Sequence, residues 1–136
     1  MSAKTILYRK VAVNDSSYTF MQVIEDGKIC LYEDEITRYT GTVTTTSILW
    51  YVTKGSVTQE LKTNEFFTGF NKKKKDRKLD FANMLMDKKA VYDLFIKDDQ
   101  FSFDQLRNIV HLYNTGKPFT QPNANKEDSS ADFNPN

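Results

Sequence analysis

A chain of 136 residues, 39% of them hydrophobic and 13% aromatic, is long enough to bury the core of one domain. The formal net charge of +1 excludes a global attraction to nucleic acid or anionic membranes. With Cys30 as its single cysteine, the chain has neither an internal disulfide nor a cysteine-based zinc site. No segment reaches the roughly 18 apolar residues of a membrane span, and the first ten residues lack the pattern of a signal peptide.

The first half of the chain has the composition of β-strands, since β-branched and aromatic residues are concentrated between turn signals. We expect about five antiparallel strands in a meander, including a Thr-rich strand with an exposed or irregular stretch around Gly41. The segments with this character are residues 5–13, 17–25, 28–33, 38–47, 47–54 and 57–61.

Two tight hairpins are predicted within this half. Asp26-Gly27 predicts a two-residue type I′ turn, in which the glycine takes positive φ. Gly55-Ser56 predicts a type II′ turn in the same way. On this interpretation Cys30 is a small, largely buried strand residue. The expected cross-strand pairs of the first hairpin are Ile24 with Ile29 and Val23 with Cys30.

After residue 61 the apolar residues follow a helical period. Residues 63–70 predict a short helix that ends near Gly69. The next helix has an apolar stripe at Leu79, Ala82, Leu85 and Met86, and the one after it, with Asp87 as N-cap, has Val91, Leu94 and Phe95.

The last predicted helix has both start and stop signals. Ser102 and Gln105 have the spacing of a capping box, and Asn114, Gly116 and Pro118 end the helix. Its apolar face consists of Phe103, Leu106, Val110 and Tyr113.

Strands followed by helices predict an α+β fold, an antiparallel sheet of about five strands with three to four C-terminal helices packed on it. We assign residues 1–119 to this single domain. Residues 120–136 are polar and rich in Pro and Asn, and we predict a disordered tail there because they cannot offset their own ordering entropy.

Two polar motifs near the first hairpin have an ordinary structural explanation. Gly27-Lys28 lacks the spacing and the strand-to-helix context of a phosphate loop. Glu33, Asp34 and Glu35 lack the spacing of a calcium loop, so we interpret them as an acidic strand end.

His111, the only histidine, lies one residue off the apolar face of the last helix. A hydrolytic triad requires a nucleophile and an orienting acid beside such a base. The sequence shows no nucleophile motif, so we interpret His111 as a boundary residue and predict neither an enzyme nor a cofactor.

The most pronounced local feature is the basic run at residues 72–78, which carries six bases and one acid. It leaves the rest of the chain with a charge of about −4. Such a run binds phosphates, lipid headgroups or an acidic partner in some proteins, although a solvated helix start is the more ordinary explanation. The candidate anion-binding residues are Lys72, Lys73, Lys74, Lys75, Arg77 and Lys78.

Aromatic residues are concentrated in the predicted sheet. Exposed on one face, they would stack a sugar or a peptide; the alternative that we favour is that they cover the core beneath the helices. These residues are Tyr8, Tyr18, Tyr32, Tyr39, Trp50 and Tyr51.

Residues 18–114 resemble the C-terminal region of a set of uncharacterised, mostly exported Bacteroidetes proteins. The resemblance lies in an EGK-x-x-LY strand pair, an aromatic YY-x-KKG hairpin and helices that end in a Tyr-Asn dipeptide. The matching positions are Gly27, Lys28, Leu31, Tyr32, Tyr51, Lys54, Gly55, Tyr113 and Asn114.

The resemblance implies a structural or interaction module of the bacterial envelope, periplasmic if the protein is exported and cytoplasmic otherwise. It implies no activity and no catalytic residue. Our leading hypothesis is therefore a non-catalytic module with a protein partner. The alternatives are an anion-binding module that uses residues 72–78, with nucleic acid a poor candidate, and an enzyme.

Overall fold

A computed structural model describes residues 6–14, 16–64 and 69–119. It confirms the predicted α+β fold: five antiparallel strands in the order β1-β2-β3-β4-β5, followed by three helices. The elements are β1 (Tyr8–Asn14), β2 (Ser17–Glu25), β3 (Ile29–Thr40), β4 (Val43–Lys54), β5 (Val57–Thr63), α1 (Lys74–Met84), α2 (Lys89–Lys97) and α3 (Phe103–Thr115).

Both faces of the sheet bury apolar side chains. One face packs against the helices, where Leu31, Val52 and Leu61 are fully buried beneath Phe81 and Tyr113. Because β1 approaches β5, the sheet curls into a half-barrel. A second, smaller cluster lies on the face away from the helices and consists of Val11, Met21 and Tyr32 with Val13, Val23, Cys30 and Tyr51 packed against it.

The second predicted hairpin is confirmed. Lys54 pairs with Val57 across Gly55-Ser56, and Gly55 has a φ of +62°. Positive φ at the first turn residue alone is the requirement of a type II′ turn.

The predicted type I′ turn at Asp26-Gly27 is wrong. Gly27 does not have positive φ, and Glu25 pairs with Leu31 after a register shift in β2. The reason lies in α3, because the Asn114 side chain accepts a hydrogen bond from the Ile29 N–H (3.1 Å) and donates one to the Ile29 carbonyl (2.8 Å). Asn114 thus takes the place that a β2 residue would have beside Ile29. The predicted two-residue turn would instead have made Ile24 and Ile29 a non-hydrogen-bonded pair. Val23 correspondingly lies opposite Tyr32 and not Cys30.

The Thr-rich segment around Gly41 is a third tight hairpin that the sequence did not indicate. Thr40 pairs with Val43, and Gly41 at the turn has a φ of +62°. β2 pairs with β3 only as far as Glu33, and β5 pairs with β4 only from Leu49 onwards. Residues 34–48, which we name the β-ribbon, therefore extend beyond the strands on either side.

The helices agree with the sequence only in part. Leu79 on α1 and Met86, which follows the end of the helix, are exposed, because the buried face is formed by Phe81, Ala82 and Met84 and continues to Leu85. The expected face of α2 buries Val91 and Phe95 but leaves Leu94 partly exposed. Lys88 and not Asp87 is the N-cap of α2, since the Asp87 carboxylate bonds elsewhere.

The ends of α3 follow the predicted signals. Ser102 is its N-cap and accepts a hydrogen bond from the Gln105 N–H (3.0 Å), and Gly116 ends it with a φ of +78°. The Gln105 side chain does not return to Ser102, because its oxygen accepts from the Phe101 N–H (2.7 Å).

Two predicted segments fall outside the described residues, wholly or in part. Of the expected helix over residues 63–70, the structure omits 65–68, and Thr63 ends β5. The predicted tail over 120–136 lies entirely beyond the described part. None of the described helices has the length and apolar composition needed to cross a membrane.

Candidate functional site

The basic run does not form one continuous surface. α1 begins at Lys74, so Lys72 and Lys73 precede the helix. Lys72 forms an ion pair with Asp80, and Lys78 forms one with Asp99. Since the six bases point in different directions, only part of the predicted set can act together.

Two of the six, Lys74 and Arg77, line an open pocket of about 720 Å³ between the end of β5, the start of α1 and the segment before α3. Lys62 from β5 lines it as well, and the described lining residues include no carboxylate. We call this site the basic pocket. Its full lining is Lys62, Thr63, Asn64, Lys74, Arg77, Gln100, Phe101, Ser102 and Phe103.

Phe101 lies at the centre of the positive charge. The ammonium groups of Lys62, Lys74 and Lys78 lie 5.4, 5.8 and 5.8 Å from the centre of its ring. Phe101 is buried and holds a φ of 50°, a left-handed conformation that is uncommon for an aromatic residue. The hydrogen bond from its N–H to Gln105 helps to hold this conformation.

Among the described residues, the lining of the basic pocket carries positive charges and no carboxylate, and Glu60, outside the lining, is an acid that acts on Arg77. Burial lowers the pKa of Lys62, and the neighbouring charges of Lys74 and Arg77 lower it further. Burial also lowers the pKa of Arg77, whose side chain donates to the carbonyls of Leu61 (2.8 Å) and Lys72 (3.1 Å). Within the described residues the Lys62 and Lys74 ammonium groups have no hydrogen bond or ion pair, only aromatic contacts. The pocket is therefore suited to an anion.

His111 has an acid beside it but lacks a nucleophile. Its Nδ1 lies 2.8 Å from Glu25 Oε1, and Arg107 binds the other oxygen of Glu25 at 2.9 Å. The Thr115 hydroxyl contacts the His111 carbonyl and not the ring. Among the described residues the His111 ring thus has an orienting acid and no hydroxyl or thiol to activate. Its side chain is about one-quarter exposed (28%), which fits a boundary position.

The three acids of β3 do not converge on one point. Glu33 accepts a hydrogen bond from the Trp50 indole N–H (2.9 Å), and Asp34 accepts one from the Glu35 N–H (3.0 Å). Strand alternation places Asp34 on the opposite face from the other two. Within the described residues no group of three or more potential ligands is arranged to hold a metal ion.

Cys30 is half-buried rather than largely buried. Its sulfur lies 3.3 Å from an Asp26 oxygen and 3.6 Å from the Arg9 guanidinium. The expectation that it packs as an ordinary apolar strand residue is therefore only partly correct.

Some aromatic residues of the sheet are buried in the core and others are exposed on its surface. Tyr32 and Trp50 are buried and Tyr51 is half-buried, as expected for core residues. Tyr8, Tyr18 and Tyr39 are 59%, 60% and 78% exposed, so the expectation that they cover the core is wrong for these three.

Five of the residues that carry the family resemblance meet in one cluster. Lys28 and Lys54 lie 2.9 and 3.1 Å from the Asp87 carboxylate, and the Tyr113 hydroxyl donates to it at 2.9 Å. Gly27 and Asn114 contact each other and are the chain neighbours of Lys28 and Tyr113. We call Asp87 with its three partners the Asp87 cluster; its role is structural, because it ties the sheet to the helices.

Neither the family models nor the curated proteins nor the solved structures that were compared with the chain gave a match.

Proposed function

We propose that the protein is a non-catalytic binding module that holds a multiply charged oxyanion, such as a phosphate ester, in the basic pocket. The observation that supports this most strongly is that the ammonium groups of Lys62 and Lys74 converge on Phe101, with Arg77 in the same lining. Burial is the main cause of the lowered pKa of Lys62, and the charges of Lys74 and Arg77 add to it. An anion between Lys62 and Lys74 stabilises the charged form of Lys62 against both effects.

The composition of the pocket favours a dianion over a single carboxylate. Lys62, Lys74 and Arg77 supply three positive charges, and the Ser102 hydroxyl, which accepts from Gln105, keeps its own proton to donate. The volume of about 720 Å³ falls in the range of small-molecule sites. The proposal assigns binding and no reaction to this pocket.

Titration with pyrophosphate at about 50 mM salt, followed by calorimetry and amide chemical shifts, tests the proposal. We expect saturable binding that weakens as salt rises, with shifts concentrated at Lys62, Phe101 and Ser102. Lys62→Ala and Lys74→Ala should each weaken binding by about tenfold, as expected when a charge-assisted contact is lost.

Lys73→Ala and Lys75→Ala are matched controls, since both remove a charge from the same run without touching the pocket lining. Equal losses in all four variants would indicate diffuse attraction to the run and would refute the pocket. Parallel titrations with single-stranded DNA and with anionic vesicles distinguish a free phosphate ester from nucleic acid or a membrane as the source of the anion.

We further propose that the module belongs to the bacterial envelope and works there with a protein partner. The support is the sequence resemblance to exported Bacteroidetes proteins, and it is independent of the basic pocket. Fractionation of cells that express the native gene product tests this proposal. Recovery in the cytosol alone, without an export signal, would contradict it.

A further inference from the structure

The β-ribbon has backbone edges that its neighbours leave open. Beyond Glu33 on one side and Leu49 on the other, β3 and β4 pair only with each other among the described residues. Every residue from Thr37 to Thr46 is exposed. The ribbon thus buries little of its own surface, and a role in packing does not account for its length.

Hydrogen-bond alternation shows which backbone groups face outward. In a two-residue hairpin the residues of the closing pair, here Thr40 and Val43, exchange backbone hydrogen bonds with each other. Along each strand every second residue therefore has its N–H and carbonyl directed away from the partner strand, and we call these residues the outward set. On β4 the outward set includes Ile48, whose N–H and carbonyl bond to Asn64. On β3 the outward set is Glu35, Thr37 and Tyr39.

The β3 edge of the ribbon carries little of the protection that proteins give to exposed strand edges. Residues 36–47 include no proline and a single charged side chain, Arg38. Arg38 has no hydrogen bond, ion pair or ring contact with any described residue. At the base of the edge, the Glu35 N–H donates a hydrogen bond to the Asp34 carboxylate.

Charge complementarity indicates that the β3 edge of a second copy of the chain can pair with the β3 edge of the ribbon. Asp34 and Arg38 lie on the same face of β3 with Ile36 between them, too far apart to pair within one strand. In an antiparallel pairing of two β3 edges with Ile36 on the two-fold axis, Asp34 of each copy lies opposite Arg38 of the other. A shift of two residues toward the turn would instead bring two Arg38 side chains together. The opposed charges thus favour one register.

We infer that the β-ribbon is a self-association site, at which two copies of this chain pair their β3 edges antiparallel about Ile36. In that register Glu35 lies opposite Thr37 of the second copy, and both residues have outward-facing backbone groups. The two such pairs supply four backbone hydrogen bonds. Asp34, which accepts a hydrogen bond from the Glu35 N–H in the single chain, forms an ion pair with Arg38 of the second copy instead, and this frees the Glu35 N–H. Because a single edge contact buries far less than the roughly 1,600 Å² of a standard interface, the dimer should be weak and reversible.

Sedimentation equilibrium from about 10 μM to 1 mM at low salt tests the inference. We expect a monomer–dimer equilibrium. Arg38→Asp should lower the association constant by at least about tenfold, because it places two acids opposite each other. The double variant Arg38→Asp with Asp34→Arg restores the opposed charges and should recover association to within about threefold of the original.

A second pair of variants keeps the test independent of Asp34, which is partly buried. Thr37→Pro removes an outward N–H of the β3 edge and should abolish dimerisation, whereas Thr44→Pro makes the same change on the β4 edge and should leave it intact. A chain that stays monomeric throughout, or a dimer lost in Thr44→Pro and kept in Thr37→Pro, would overturn the inference. Association that tolerates Arg38→Asp would also overturn it.

Discussion

Gly27 is kept small by a side chain from the far end of the domain. A Cβ at this position would lie 2.4 Å from Cγ of Asn114, whose amide is fixed by its two hydrogen bonds to Ile29. Asn114 can move away only by losing them. Gly27→Ala should therefore destabilise the fold by about 1–3 kcal/mol, the usual cost of overpacking, as measured by urea unfolding.

Two control variants distinguish a steric clash with Asn114 from strain in the backbone of Gly27. In an Asn114→Ala background the same Gly27→Ala change should cost much less, because the colliding atoms are gone. Gly41→Ala meets no neighbouring atom and should cost about 1–2 kcal/mol through its positive φ alone. An equal cost of Gly27→Ala in both backgrounds would argue against the contact with Asn114.

At the scale of elements, the β-ribbon shows what local sequence can and cannot indicate. The threonines around Gly41 predict extended structure correctly, because β-branched side chains favour it. They do not reveal that β2 leaves β3 after Glu33, since that depends on how strands distant in sequence pair and not on the threonines themselves. Likewise, Ser102 identified the start of α3 from local chemistry, whereas Leu79 on α1 and Met86 just beyond it fit a helical stripe and yet lie exposed.

The alternation of backbone groups in the β-ribbon predicts different rates of amide hydrogen exchange at neighbouring residues. In dilute protein, where dimerisation is negligible, the outward N–H groups of Thr37 and Tyr39 should exchange at least about tenfold faster than the inward ones of Arg38 and Thr40. The reason is that only the inward groups bond across to β4. Hydrogen exchange followed by NMR measures all four. Equal exchange rates at all four residues would mean that the inward N–H groups are not protected by hydrogen bonds to β4. The distinction between outward and inward groups, on which the proposed pairing of two β3 edges depends, would then be lost.

At the scale of the whole molecule, the sites depend on residues that are distant in sequence. The basic run was visible at once, yet the basic pocket also needs Lys62 from β5 and Phe101 from the segment before α3. A local pattern contains no information on which of six neighbouring bases point the same way. For the same reason, the residues of the family resemblance were recognised as separate motifs, and only the fold joins Lys28, Lys54 and Tyr113 at Asp87.

The Asp87 cluster connects the β2–β3 loop, β4 and α3, so its ionisation should affect the stability of the whole fold. Hydrogen bonds from Lys28, Lys54 and Tyr113 hold the pKa of Asp87 below its ordinary value of 3.8. Because the folded-state pKa is the lower one, the contribution is fully present above about pH 4 and is lost as the pH falls through the folded-state pKa.

We therefore expect Asp87→Asn to lower the melting temperature most at pH 7, and the gap from the original protein to close as the pH is lowered toward about 2. Thermal unfolding of both proteins across this range measures the gap. Asp26→Asn serves as a control, because the pKa of Asp26 is also lowered, mainly by Arg9 and then by Cys30. Both partners are sheet residues, so this group ties no helix to the sheet. A gap for Asp87→Asn that stays constant with pH, or one no larger than that of Asp26→Asn, would show that the charge of Asp87 does not hold the helices on the sheet.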